Sequence, residues 1–239
     1  MNTEASSTDP HDIRPTGRVT GLFYLIGLST AVYANFFVRY SVYEPNDPTT
    51  TAKNLIEFET VVRFGLAVEL VGILALVGLT ASLYALLKPF GERMGRAAVL
   101  WWIGEITLLA VAICLYFPIF FLLSGAEYSL VFEPSERDAI VLLLINLFYD
   151  VYNIALTFFT LGMIVFAILF YRSRYVPRLL SIFGVVAALS MFTDILLTLV
   201  DHPASDLFGL APSAMVALYE LIMGAWLLVF SVSIRAKQM

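Results

Sequence analysis

Six apolar stretches, separated by short polar links, dominate this chain. A helix rises about 1.5 Å per residue, so stretches of some 20 residues are long enough to cross the roughly 30 Å hydrocarbon core of a bilayer. The sequence therefore predicts an all-α, polytopic membrane protein with six transmembrane helices in a bundle. The predicted spans cover residues 19–38, 64–87, 97–123, 140–170, 179–200 and 213–234.

The composition excludes a water-soluble globular fold. Of 239 residues, 60% are hydrophobic and 14% are charged, whereas soluble domains carry about 25% charged residues. The lipid bilayer is thus an expected partner. With a net charge of −5 the chain lacks the basic surface that binds phosphates, so we expect no nucleic-acid partner. The single cysteine, Cys114, excludes an internal disulfide and a thiolate metal cluster.

The links are too short to form a second domain. We expect a polar cytoplasmic tail at residues 1–17, one transmembrane domain at residues 18–235 and a cytoplasmic end at residues 236–239. The tail lacks a basic region ahead of its apolar run, and that run is long enough to span, so we expect no cleaved signal peptide. The longest link, residues 39–63, is predicted to hold an interfacial helix in its second half.

Lysine and arginine placement predicts the orientation, because basic residues in short loops resist translocation. Ten of the fourteen lie in the tail, the second and fourth loops and the C-terminus. We therefore expect both termini in the cytoplasm, with the protein in the cell membrane. The ten are Arg14, Arg18, Lys88, Arg93, Arg96, Arg172, Arg174, Arg178, Arg235 and Lys237.

Each predicted span after the first contains one carboxylic acid away from its ends. An ionised side chain at this depth costs about 2.5 to 3.5 kcal/mol on the insertion scale. The predicted spans contain no lysine or arginine away from their ends, so we expect protonation, a bound cation or a polar cavity to stabilise the acids. The five acids are Glu69, Glu105, Asp150, Asp194 and Glu220.

Helical spacing predicts the direction of these side chains, because residues three, four and seven apart share a face. Asn146, Asp150, Asn153 and Thr157 form a polar stripe on the fourth span. Counting from the helix ends places four acids in the outer half of the membrane and Glu105 nearer the cytoplasm. We predict a ligand-binding or cation-binding site formed by Asp150, Glu69, Asp194, Glu220, Asn146 and Asn153, supported by Arg63, Thr157, Ser190 and Glu105.

Several loop and helix-end motifs resemble a known family. They are Arg18–Leu22, Thr51–Asn54, Arg63–Gly65, Leu83–Pro89, the linker Tyr171–Leu180, Glu220 and Trp226–Leu228. In order and spacing they resemble the bacterial and archaeal membrane family catalogued as domain of unknown function 4386. The resemblance implies a multi-helix membrane protein and carries no assigned reaction.

Three functions fit these patterns. The first is an outward-facing acidic cavity, centred on Asp150, that binds a cation, a proton or a small polar ligand in a transport-like role. The second is a non-catalytic accessory or sensor subunit, in which the acids hold helices together. The third is a lipid-modifying enzyme that uses a pair of acids. The patterns favour a non-catalytic role, while the oligomeric state and any partner subunit stay open.

We expect no cofactor. The predicted spans contain no histidine, which disfavours a zinc-dependent hydrolase in the membrane. The loop residues Asp201, His202 and Asp206 offer one histidine without the spacing of a metal site, so the identity of any metal stays open.

Overall fold

All regular secondary structure in the described part of this protein is helical. The computed structural model describes residues 14–125, 131–200 and 209–230. Within these residues six helical segments are long and apolar enough to cross a membrane. This confirms the predicted all-α membrane protein with six spans. The first to sixth spans are Pro15–Val42, Glu59–Phe90, Glu92–Leu123, Pro134–Ser173, Arg178–Leu199 and Ala211–Phe230.

Three of the spans contain a change of helix type or a break. The first runs from α1 (Arg14–Val32) through a π-helix (Tyr33–Arg39) to the turn α2 (Tyr40–Val42). After helix α3 (Pro48–Glu57), the second consists of α4 (Glu59–Leu87) and a 3-10 turn (Lys88–Phe90). The third is α5 (Glu92–Cys114) followed by α6 (Tyr116–Leu123). The last three are α7 (Pro134–Ser173), α8 (Arg178–Leu199) and α9 (Ala211–Phe230).

The break in the third span follows from Pro118. Proline has no amide hydrogen and its ring clashes with the preceding helical turn, so it is tolerated only near a helix start. Helix α5 accordingly ends at Cys114, and α6 begins at Tyr116 with Pro118 in its first turn. The amide of Leu115 between them donates to the carbonyl of Ala112 at 3.0 Å.

Acidic side chains stabilise the starts of helices α3 and α7. The carboxylate of Asp47 accepts a hydrogen bond from the Thr50 amide at 2.9 Å and caps α3. The Thr50 hydroxyl also donates to this carboxylate, at 2.7 Å. The hydrogen bonds from the Thr50 amide and hydroxyl lower the pKa of Asp47. Glu133 and Glu136 form a capping box at the start of α7, with the Glu133 amide donating to Glu136 at 3.0 Å.

The spans contact one another in chain order. Each packs against the span before it and the span after it, and the sixth packs against the first. Helix α3 packs against the fourth span, as an interfacial element of the first loop would. This closed order of contacts surrounds a common interior, to which all six spans contribute side chains.

Glycines allow the closest approaches between spans. A methyl group added at Gly21 would lie 2.6 Å from the backbone nitrogen of Leu228 and 2.7 Å from the carbonyl oxygen of Gly224. The first and sixth spans therefore meet with their backbones in contact, as small residues permit between membrane helices. Gly162 similarly makes room for the indole of Trp102, whose Nε1 donates to the carbonyl of Phe159 at 3.0 Å.

Gly21→Ala should lower the thermal unfolding temperature of the protein in detergent. The added methyl group meets backbone atoms, which cannot move aside as a flexible side chain would, and overpacking of this kind costs about 1 to 3 kcal/mol. Gly27→Ala is the matched control on the same helix, because its added methyl group would have only ordinary contact, 3.7 Å from Leu76. Equal melting temperatures for the two variants would contradict the close contact at Gly21.

Candidate binding cavity

A cavity of about 630 Å³ lies among the six spans. Its walls come chiefly from the first, fourth and sixth spans, with fewer residues from the other three. It extends from Tyr24 and Glu105 at mid-span to Tyr43 and Leu210, at the end of the helices where the first loop lies. We call this end the first-loop end. The volume falls within the range of small-molecule sites in proteins, about 300 to 1,000 Å³.

Three of the five predicted acids line this cavity: Glu105, Asp150 and Glu220. Asp150 is exposed to it, between the amides of Asn146 and Asn153 on the same face of α7. The Tyr43 hydroxyl donates to the Asn146 side-chain oxygen at 3.1 Å. The polar stripe expected on the fourth span is thus part of the cavity wall.

Glu105 and Glu220 lie at the same depth. Contacts at glycines show which residues of neighbouring antiparallel spans are level: Gly224 with Tyr24 and Leu25, Gly72 with Thr30, and Gly95 with Tyr84. Counting from these contacts places both acids level with Leu28 of the first span. Both acids line the cavity. The sequence analysis placed Glu105 nearer the cytoplasm than Glu220. That predicted difference in depth between the two acids was therefore wrong.

Asp150 lies nearer the first-loop end than this pair. Gly104 of the third span packs against the ring of Phe158 on the fourth, so these two residues lie at about the same depth. By that contact Asp150 is some seven residues above Glu105, or about 10 Å along the helix. The cavity thus has acids at two levels, with the deeper level occupied by a pair.

The deeper level includes a carboxylate oxygen without a partner. Glu105 is 3% exposed, and its Oε2 accepts no hydrogen bond from the part of the chain that the structure describes. A buried polar atom in this state loses its hydration without compensation. The side chain lines the cavity, so the cavity wall includes a buried carboxyl group whose hydrogen-bonding capacity is not fully used by the described residues.

Glu69 does not line this cavity. It forms a buried ion pair with Arg39, which donates from Nη2 to Glu69 Oε2. The guanidinium also lies over the ring of Phe148, 4.2 Å from its centre. The sequence predicted the first loop to begin at residue 39, whereas the structure includes Arg39 in the first span. The π-helix carries the first span past residue 38 and places Arg39 inside the protein.

The ion pair connects to the cavity wall through Asn35. Arg39 Nη1 donates to the Asn35 side-chain oxygen at 2.7 Å, and the Asn35 amide nitrogen donates to the Tyr152 hydroxyl at 3.2 Å. Asn35 and Tyr152 both line the cavity. Arg39 itself does not line the cavity, so its charge is directed to Glu69 and not to the three cavity acids.

The profile of the family described as Domain of unknown function (DUF4386) matches residues 19–230, which is most of the chain. The chain belongs to the DUF4386 family. This confirms the family that the loop motifs resemble. The match begins in the first span and ends with the last residue of the sixth, so it includes every wall of the cavity. No curated protein and no solved structure matches the chain.

The remaining predicted site residues of this DUF4386 protein lie outside the cavity lining. Asp194 and Ser190 are half-buried on the fifth span, which contributes Met191 to the cavity wall. Thr157 donates its hydroxyl to the Asn153 carbonyl at 3.1 Å. Arg63 pairs with Glu59 at 2.7 Å, as its spacing predicts, and both side chains are about half exposed.

No group of three or more His, Cys, Asp or Glu suited to a metal ion occurs among the described residues. The loop residues considered for a metal, Asp201, His202 and Asp206, lie outside them. Sequence reasoning missed Arg39, Asn35 and the cavity tyrosines. The i, i+4 spacing of Asn35 and Arg39 was the available signal, because it places both side chains on one helix face.

Breaking the buried ion pair should destabilise this DUF4386 protein strongly. Arg39→Gln or Glu69→Gln leaves the other charge buried without a partner, which typically costs about 3 to 5 kcal/mol. The double variant should recover part of the loss, because it removes both charges. Thermal unfolding in detergent measures all three.

Arg63→Gln provides the matched control for this comparison. It breaks the half-exposed pair with Glu59, and such pairs contribute little to stability. An equally small effect of Arg39→Gln would contradict the assignment of a buried, structurally required pair.

Proposed function

We propose that this protein binds a cation, a protonated group or a small polar ligand in the cavity and acts in a transport-like role, with Asp150 at the centre of the site. One observation carries the proposal. The cavity is lined by three carboxylic acids and by no lysine, arginine or histidine among the described residues.

Electrostatics favour a positively charged occupant. Carboxylates in a poorly solvated cavity need a counter-charge, and the nearest buried arginine, Arg39, is already paired with Glu69. Intramembrane acids of this kind often lie on ion or substrate pathways. The access expected for such a pathway is at the first-loop end, where the cavity reaches Tyr43 and Leu210.

The proposal includes an orientation, with both termini in the cytoplasm and the first-loop end outside the cell. It rests on the bias of basic residues toward the opposite loops. The cavity would then be reached from outside. Of the three cavity acids, Asp150 lies nearest this end and would be the first that an incoming ligand meets.

Cysteine labelling of intact cells tests the orientation. In a Cys114→Ser background, Asp47→Cys and Glu133→Cys should react with a membrane-impermeant maleimide, because both positions start helices at the first-loop end. Arg93→Cys, near the opposite end, should react only after the cells are opened. Labelling of Arg93→Cys in intact cells, without labelling of Asp47→Cys and Glu133→Cys, would contradict the proposed orientation and indicate the opposite one.

Charge movement tests the transport-like role. Proteoliposomes on a solid-supported membrane should give a transient current when exposed to one of a panel of cations: protons, Na⁺, K⁺, Ca²⁺ and alkylammonium ions. Asp150→Asn should reduce this current at least about tenfold, because it removes a charge that the ligand pairs with.

Asp194→Asn is the matched control, because Asp194 is an acid in a span but outside the cavity lining. Its current should equal that of the unmodified protein. A current for no member of the panel, or equal currents for Asp150→Asn and the unmodified protein, would overturn the proposed role.

A further inference from the structure

The cavity is larger and more apolar than an inorganic cation requires. A volume of about 630 Å³ would hold a molecule of many atoms. Leucine, valine and aromatic side chains make up much of its wall. The described residues also contain no group of three acids, histidines or cysteines that could hold a metal ion. An occupant that satisfies both the acids and the apolar wall must combine a positive charge with an apolar body.

Aromatic rings line the part of the cavity nearer the first-loop end. They form two pairs: the rings of Phe36 and Tyr40 have centres 5.5 Å apart, and those of Tyr43 and Tyr149 are 5.3 Å apart. Aromatic faces attract both apolar groups and cations. This region suits the body of a ligand and the passage of its charged head.

The charged head has its best partners at the deeper level. Glu105 and Glu220 lie there at one depth, and Glu105 is nearly fully buried with an oxygen that lacks a hydrogen bond among the described residues. An ammonium between the two acids would donate hydrogen bonds to their carboxyl groups. Asp150, about 10 Å nearer the first-loop end, would then be the acid that the charged head pairs with on its way to the deeper level.

We propose that the ligand is an amphipathic organic cation, an amine or ammonium group carried on an apolar or aromatic body. Its head binds between Glu105 and Glu220, and its body extends past Asp150 along the aromatic side chains. The inference rests on the proposed function, whose site it shares, and adds the chemical class of the ligand and the direction in which it binds.

A matched ligand series tests the class. Phenylbutylamine, phenylbutanol and phenylvalerate share one phenylbutyl body and carry positive, neutral and negative heads. Tetramethylammonium and Na⁺ carry charge with little or no apolar body. Binding to the full chain in nanodiscs, corrected with empty nanodiscs, should be at least about tenfold tighter for the amine than for the other four.

Two substitutions test the position of the head. Glu105→Gln and Glu220→Gln keep the shape of each side chain and should weaken amine binding at least about tenfold, while binding of the alcohol stays unchanged. Asp194→Asn should leave both unchanged. If a glutamine variant does not fold, the ligand series with the unmodified protein still decides the class.

The outcomes separate this inference from the proposed function. A current carried by protons, Na⁺, K⁺ or Ca²⁺, together with equal binding of amine and alcohol, would overturn the ligand class and leave the transport-like role in place. Tight amine binding that the glutamine variants do not weaken would overturn the position of the head. Neither amine binding nor current would overturn both proposals.

Discussion

Lipid offers no hydrogen bonds to a side chain within the bilayer, and this constraint governs where the polar groups of the protein lie. The clearest response is the buried pair of Arg39 and Glu69, which neutralises both charges inside the protein. The pair ties the π-helix at the end of the first span to the second span. Through Asn35 and Tyr152 the same network reaches the fourth span, so one ion pair holds together three walls near the first-loop end.

The cavity acids are a different response to the same constraint. Among the described residues, no arginine or lysine lines the cavity beside Asp150, Glu105 and Glu220, although Arg39 lies on the same span as several lining residues. A sequence that needed only stability would gain more by replacing such groups with apolar side chains, because buried charges are stabilising only when well paired. Their position around a cavity of small-molecule size is the basis of the proposed binding role.

Tight helix contacts define the walls of this cavity. Gly21 brings the backbones of the first and sixth spans together, and Gly162 accepts the indole of Trp102 between the third and fourth. Such contacts replace the hydrophobic driving force that is absent between helices in lipid. Because each span contacts its neighbours in chain order, the six spans share one interior.

The sequence by itself determined the number of spans, the membrane environment and the family, because these depend on local properties: apolar length, composition and short motifs. It also identified the polar stripe of Asn146, Asp150 and Asn153, since helical periodicity alone places those side chains on one face. Only the tertiary structure decided that Glu105 joins Glu220, that Glu69 pairs with Arg39 and that Asp194 lies outside the cavity lining. These facts depend on the relative depth and rotation of helices, which distant contacts fix and which one-dimensional spacing cannot supply.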